Sequence, residues 1–284
     1  MDGSEEKIRQ IVGTSAGMPA SDGDGVSLTR IVGTPQLDMV DPFLLLDAFG
    51  SDKPDDYIGG FPDHPHRGFE TVTYMLAGRM RHKDSAGHEG VIETGGIQWM
   101  TAGRGIVHSE MPEQESGLLA GFQLWVNLPA SDKMVAPGYQ EYPASEIPVE
   151  AIDGGGEIRV LTGRTDGGTE GPVRNIATEP LYLDVHLNKN IGFSQAMTAG
   201  HAGFLYVIDG AISVGREGEP LSAGMLGLLG PGDRVQVIAG DADSRFLMIA
   251  GRPLNEPVAR GGPFVMNTRE EVVQAFQDFQ SGNF

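Results

Sequence analysis

The sequence predicts an all-β protein made of two halves of similar size, each a sandwich or barrel of short antiparallel strands. Glycine and proline are abundant, 42 and 18 of 284 residues, and are dispersed without a period, as many tight turns require. Between them recur short runs rich in branched and aromatic residues. A stretch of the first half is also echoed in the second: Thr73-Tyr-Met-Leu-Ala-Gly78 lines up with Leu205-Tyr-Val-Ile-Asp-Gly210, and each is followed by a glycine-rich turn, Gly95-Gly96 and Gly230-Pro-Gly-Asp233. That echo reads as a worn internal duplication.

In chain order, Phe69 to Leu76 and Phe122 to Asn127 read as strands of the first half. Ile158 to Leu161, Leu181 to Leu187, Phe204 to Ile208, Met225 to Leu229, Val235 to Ile238 and Phe246 to Ile249 read as strands of the second. Each is bounded by Gly, Pro, Asp or Asn. Between the halves, Pro129, Pro137, Gly138, Pro143 and Pro148 interrupt any strand or helix pattern, which puts one boundary at 132/133 and gives domains 1–132 and 133–284. Only the end of the chain reads as helix. Thr268 serves as N-cap with Glu271 three residues on, a capping box, and Val272, Val273, Phe276 and Phe279 follow at helical spacing. That helix is expected to pack on a sheet.

Composition narrows the function. Lys and Arg number 20 against 39 Asp and Glu, a formal charge of −19, which opposes direct binding to phosphate backbones and favours a basic protein as any macromolecular partner. With no cysteine, disulfides, iron–sulfur clusters, thiolate zinc sites and cysteine nucleophiles are excluded, so a metal must use His, Asp or Glu. Charged residues within Met1 to Gly17 and the lack of a long apolar run predict a cytoplasmic protein without a membrane segment. No nucleophile elbow, phosphate loop or dinucleotide fingerprint occurs.

The chemistry concentrates in Phe61-Pro-Asp-His-Pro-His-Arg-Gly-Phe-Glu70 and Thr101-Ala-Gly-Arg-Gly-Ile-Val-His-Ser-Glu110. Alternate strand residues share a face, so His64 and His66 can point together into a barrel, as can His108 and Glu110. Two such pairs can close on one divalent ion and leave about two of six positions open for catalysis. Glu70 competes with Glu110 for the carboxylate place if the strand runs straight through Gly68; either could instead orient a ligand or act as a general base. With nitrogen donors dominant, iron(II), manganese, nickel, cobalt, copper and zinc all suit the set. His82 and His88 read as loop residues, and His186 and His201 as structural. Trp99, Met100 and Trp125 could form an apolar wall. Under the duplication His64, His66 and Glu70 correspond to Ala196, Thr198 and Ala202, so the second half has no ligand set.

These motifs, Asp63-His-Pro-His-Arg-Gly-Phe-Glu-Thr-Val-Thr-Tyr74 and Gln98-Trp-Met-Thr-Ala-Gly-Arg-Gly-Ile-Val-His-Ser-Glu-Met-Pro112, closely resemble the pirin family of the cupin superfamily. The likeness continues through Asp41-Pro-Phe-Leu-Leu-Leu-Asp47, Gln123-Leu-Trp-Val-Asn127 and Gly262-Pro-Phe-Val-Met-Asn267, nearly the whole chain. The resemblance implies a bicupin, two antiparallel jelly-roll-like β-barrels, the first an N-terminal cupin domain with a non-haem metal, usually iron(II), on His64, His66, His108 and Glu110. It favours Glu110 over Glu70 as ligand and leaves Glu70 behind the ligands. It further implies one of two activities. One is a quercetin 2,3-dioxygenase, in which O2 opens the central ring of a flavonol and carbon monoxide leaves, with Glu110 or Glu70 as base. The other is metal-dependent binding of a regulatory protein partner without turnover.

Overall fold

The computed structural model describes residues 6–284. The part of the Met1 to Gly17 reading that falls on residues 1–5 lies outside them. The chain forms two compact units, each discontinuous in sequence: one comprises residues 18–145 and 254–284, the other residues up to Gly17 with 146–253. This differs from the single boundary expected at 132/133. The reason lies at the ends of the chain. Ile11–Ser15 pairs with Leu226–Leu229 and so completes a sheet of the second unit, while the tail from Leu254 onward belongs to the first.

Each unit is a barrel of one seven-stranded and one four-stranded antiparallel sheet. In the first barrel the larger sheet runs Gly138–Tyr142, Ile97–Thr101, Phe69–Ala77, Leu119–Asn127, Phe43–Ser51, Val26–Val32, Met18–Asp22 in spatial order. Its smaller sheet runs Phe61–His66, Ile106–Pro112, Arg79–Asp84, Glu89–Glu93. The second barrel repeats this plan, with Ala202–Asp209 and Ser244–Gly251 central in the larger sheet and Gly192–Ala196 beside Arg234–Ala239 in the smaller. Every strand read from the sequence is present, most extended by one to three residues. Gly138–Tyr142 is a strand too, at a sheet edge within the proline-rich stretch expected to break the pattern.

Burial explains why the strands settle this way. In the second barrel the inward positions fill one apolar core, including Val160, Leu183, Leu205, Val214, Val235, Val237 and Met248, all nearly inaccessible. Such burial stabilises by about 25 cal/mol per Å² of apolar surface, and the alternation in Arg234–Ala239, inward Val235, Val237 and Ala239, fixes the register. The helix Arg269–Gln280 begins at the expected capping box: Glu271 N–H donates to Thr268 Oγ1, and the Thr268 N–H donates to the Glu271 carboxylate. It packs on the hairpin Ala259–Gly261 and Phe264–Met266. Val272 and Ala275 are its buried residues; Val273 is exposed, while Phe276 and Phe279 flank the Phe264 ring.

Candidate metal centre

His64 and His66 lie on Phe61–His66 and His108 on the adjacent Ile106–Pro112, where His108 is directly opposite His64. Their ring nitrogens converge within 4.8 Å of one another, and ring centroids are 4.4 to 5.1 Å apart. His64 Nδ1 lies 2.8 Å from the Pro62 carbonyl and His66 Nδ1 3.4 Å from that of Pro263. A carbonyl only accepts, so each Nδ1 carries the proton and each Nε2 keeps a lone pair for another partner. His108 is 1% exposed and neither of its ring nitrogens has a hydrogen-bond partner. A buried imidazole left unpaired costs about 1–3 kcal/mol, which a ligated ion would offset.

The electrostatics suit a cation. Burial, and then the neighbouring His108 and His64, hold the His66 imidazole well below its usual range. Burial lowers His108 to about 4, against the opposing pull of Glu110. Both rings are therefore neutral near pH 7, the form that ligates metal. Three converging imidazoles with an unsatisfied buried nitrogen fit a divalent transition metal.

Glu110 stands beside this triad rather than within it: among the described residues the set that converges within 4.8 Å is the three histidines alone. Thr73 Oγ1 donates to Glu110 Oε1 at 2.8 Å and Gln123 Nε2 to Oε2 at 2.9 Å. The carboxylate is thus fixed in orientation, with further lone pairs to spare. Neither donor is evident from a histidine search. The signal that finds them is a polar residue within an otherwise largely apolar strand, Thr73 in Phe69–Ala77 and Gln123 in Leu119–Asn127.

Glu70 faces elsewhere, contrary to the straight-strand expectation. Gly68, at φ +86°, ends Phe61–His66, and Phe69–Ala77 continues in the other sheet. A side chain at Gly68 would drive its Cβ into the Val265 carbonyl, so only glycine makes this corner. Glu70 lies opposite Thr101, whose hydroxyl donates to it at 2.7 Å, and is three residues from the inward Thr73, hence on the opposite face of the sheet. Burial raises its carboxyl to about 7, despite the Thr101 hydroxyl. Lys133, fully buried, braces the same corner by donating to the carbonyls of Gly68 and Val265 and to Asn127 Oδ1; burial pushes its ammonium down to about 8.

His82 corrects the loop reading. It lies on Arg79–Asp84, whose alternation puts Met80, His82 and Asp84 inward and Arg79, Arg81 and Lys83 outward; because both faces are polar, the period is hidden in the sequence. His82 Nε2 sits 2.6 Å from Glu141 Oε2. His88 does lie in the turn, where it caps Asp84. His186 and His201 belong to the second barrel and are not part of the triad.

A cavity of about 550 Å³ in the first barrel is lined by His64, His66, Glu110, Thr73 and Gln123, with Trp125 and Phe49 among its apolar walls. Trp125 shares the face of Thr71 and Thr73 and stacks edge-on to His66 at 5.2 Å. Trp99 pairs with Val72 and lies on the opposite face, with Glu70, so of the two tryptophans only Trp125 lines this wall.

The sequence matches the family model for pirin over residues 25–126 and that for the pirin C-terminal cupin domain over 182–284. A pirin-like protein of Caulobacter vibrioides is 55% identical, over 98% of this chain and 99% of its own. Human pirin is 46% identical over 92% and 89%. A crystal structure titled quercetin 2,3-dioxygenase, from Acinetobacter baumannii, superposes with a TM-score of 0.89 at 34% identity, covering 98% of both chains. No helix among the described residues is long and apolar enough to cross a membrane. The two-barrel fold, the histidine triad of the first barrel and these matches agree, and the chain belongs to the pirin family of bicupin proteins.

Proposed function

We propose that the first barrel is the active site of a metal-dependent dioxygenase that cleaves quercetin or a related flavonol with O2. His64, His66 and His108 would hold a divalent metal, iron(II) first among the candidates, with Glu110 as the fourth ligand. The observation that carries this reading is the triad of half-buried His64 with buried His66 and an unpaired, buried His108, beside a cavity of about 550 Å³ walled in part by aromatic residues. A volume in this range suits a drug-sized aromatic molecule. The 34% identity over 98% of both chains to the protein titled quercetin 2,3-dioxygenase supports the choice of substrate class.

The metal supplies activation of the flavonol oxygen and of O2. The chain supplies the rest. Trp125, Phe49 and Phe61 hold the aromatic rings and exclude water. Glu110, held by Thr73 and Gln123, accepts the proton of the flavonol 3-hydroxyl and keeps it within the cavity. Glu70 faces away and takes no part in that transfer.

The test is oxygen uptake with quercetin by protein stripped of metal and reconstituted anaerobically with iron(II), beside a His66→Ala control. Many turnovers that need the metal and vanish in the control are expected. If the reconstituted protein holds iron yet consumes no oxygen, the dioxygenase reading falls and metal-dependent binding of a protein partner takes its place.

A further inference from the structure

Arg30, Asp47, Gln123, Thr73, Gln98 and Glu141 form one continuous polar row across six strands of the first barrel's larger sheet. Each is directly opposite the next: Arg30 on Asp47, Asp47 on Gln123, Gln123 on Thr73, Thr73 on Gln98, Gln98 on Glu141. Residues directly opposite in a ladder point to the same side, so the row shares the inward face. Its middle members hold Glu110 at the histidine triad. Its Arg30 end lies in the same cavity, and no step of the reaction described above uses it.

We propose that the Arg30–Asp47 pair determines substrate specificity, binding hydroxyl groups on the aromatic ring that lies distal to the histidines. This assignment rests on the flavonol reading. Arg30 Nε and Nη2 donate to the two Asp47 oxygens at 3.0 and 2.7 Å, a bidentate clamp on a carboxylate that is 4% exposed. Nη2 also reaches Asp22 at 3.2 Å. Nη1 has no protein acceptor among the described residues, so a cavity-lining side chain held by its other two nitrogens keeps a donor to spare.

Charge decides which group it takes. Asp47 already balances the guanidinium and Asp22 adds a second negative charge, so a carboxylate would meet net repulsion there. A hydroxyl can accept from Nη1 and donate to an aspartate at once. Leu28 shares a face with Arg30, and Leu45 and Phe49 share one with Asp47; all three line the cavity, forming apolar sides for a flat ring whose polar edge meets the pair. Spacing agrees: Gln123 and Arg30 are two strands apart, about 10 Å, the scale of two linked aromatic ring systems with one end at Glu110.

The second barrel offers a tolerated replacement. Taking Thr73 and Leu205 as equivalent, its ladder puts Val160 and Leu183 where the first barrel has Arg30 and Asp47. The experiment is anaerobic titration calorimetry of iron(II)-loaded protein with three flavonols bearing two, one or no hydroxyls on the distal ring. Wild-type protein should bind the first more tightly than the last by on the order of tenfold or more, because a ring that lacks the hydroxyls covers Arg30 Nη1 without giving it an acceptor. In Arg30→Val/Asp47→Leu the three affinities should fall within about twofold of one another, with the ligand lacking hydroxyls bound no worse than by wild type. Asp47→Asn, which keeps the volume but loosens the clamp, should reduce the discrimination and serves if the double variant does not fold. Equal binding of all three by wild type, or an unchanged ranking in the variants, overturns the assignment while flavonol binding itself stands. Wild-type protein that binds none of the three overturns both readings.

Discussion

The two barrels share one strand plan and have opposite interiors. In the first, the inward row reads Arg30, Asp47, Gln123, Thr73, Gln98, Glu141; in the second, the matching positions read Val160, Leu183, Met248, Leu205, Gly227, Thr14. In the smaller sheets, His82 opposite Glu110 becomes Val214 opposite Val237, and His108 opposite His64 becomes Val235 opposite Gln195, so the ladder puts Gln195 at the place of His64, one residue from the Ala196 expected from the sequence repeat. A barrel closed by apolar packing is the stable default, and the second barrel takes it. In the first, each buried polar group has to be satisfied by another, and the His108 imidazole is not. The contrast teaches that the fold does not require the polar interior; the site does.

The largest effect should come from the triad. His66→Ala should weaken metal binding by more than about a hundredfold, beyond what loss of an outer hydrogen bond costs, as read by calorimetry and by metal content after reconstitution. Val235→Ala, in the second barrel at the place equivalent to His108, should leave metal content unchanged. Undiminished metal binding by His66→Ala would remove the triad from the metal site.

Next comes the reverse exchange. Leu205→Thr puts the first barrel's residue into the second barrel's core, where Leu205 is fully buried among Val207, Phe246 and Met248. Lost apolar burial and a hydroxyl without a partner should together cost about 2–5 kcal/mol in urea unfolding, with metal content intact. A cost under about 1 kcal/mol would show that the second interior tolerates polarity and would break the contrast.

Glu70 sharpens the comparison on the outer face of the same sheet, where the duplication puts Ala202 in its place. Burial holds its carboxyl at about 7 in the folded state, above the ordinary value of about 4.5, so the folded state binds the extra proton between those values. The stabilising contribution of this group is then complete below about pH 4.5 and is lost as pH rises through 7. Glu70→Gln cannot titrate. Relative to wild type it should therefore gain up to about 3 kcal/mol between pH 4.5 and 8, a difference that cancels the opposing titrations of His66 and His108. Parallel stability profiles for the two proteins would show that Glu70 is not perturbed.

The histidines were legible because strand alternation is local: a period of two puts His64 and His66 on one face of their strand and His108 and Glu110 on one face of theirs, while the pairing that joins the three histidines and leaves Glu110 beside them is not local. The internal repeat and the capping box at Thr268 were legible for the same reason. What escaped depends on pairing between distant segments. The direction of Glu70 turns on Gly68 and on the carbonyl of Val265. The burial of His82 and Lys133, and the polar row, need the register of strands far apart in sequence. The exchange of chain ends likewise leaves no local pattern: Ile11–Ser15 reads like any strand, and only its pairing with Leu226–Leu229 assigns it to the second barrel.

Thr73→Val should have the smallest effect on stability and the most informative effect on the site. Valine has nearly the shape of threonine and suits a strand, so the substitution removes little but the hydroxyl. That hydroxyl donates to Glu110 Oε1 at 2.8 Å, while Gln123 still donates to Oε2, so Glu110 loses one of two tethers. Net loss of one such bond to a charged group, offset by a better-buried methyl, should leave unfolding free energy within about 1 kcal/mol of wild type. The carboxylate is then free to turn, and if it completes the metal's ligand set or takes the substrate's proton, metal affinity or kcat should fall by about tenfold. A drop in kcat with metal affinity unchanged would make Glu110 the base and not a ligand; a drop in affinity would make it a ligand. A variant indistinguishable from wild type in stability, metal affinity and turnover would mean that the polar interior around Glu110 serves neither, and the difference between the barrels would need another cause.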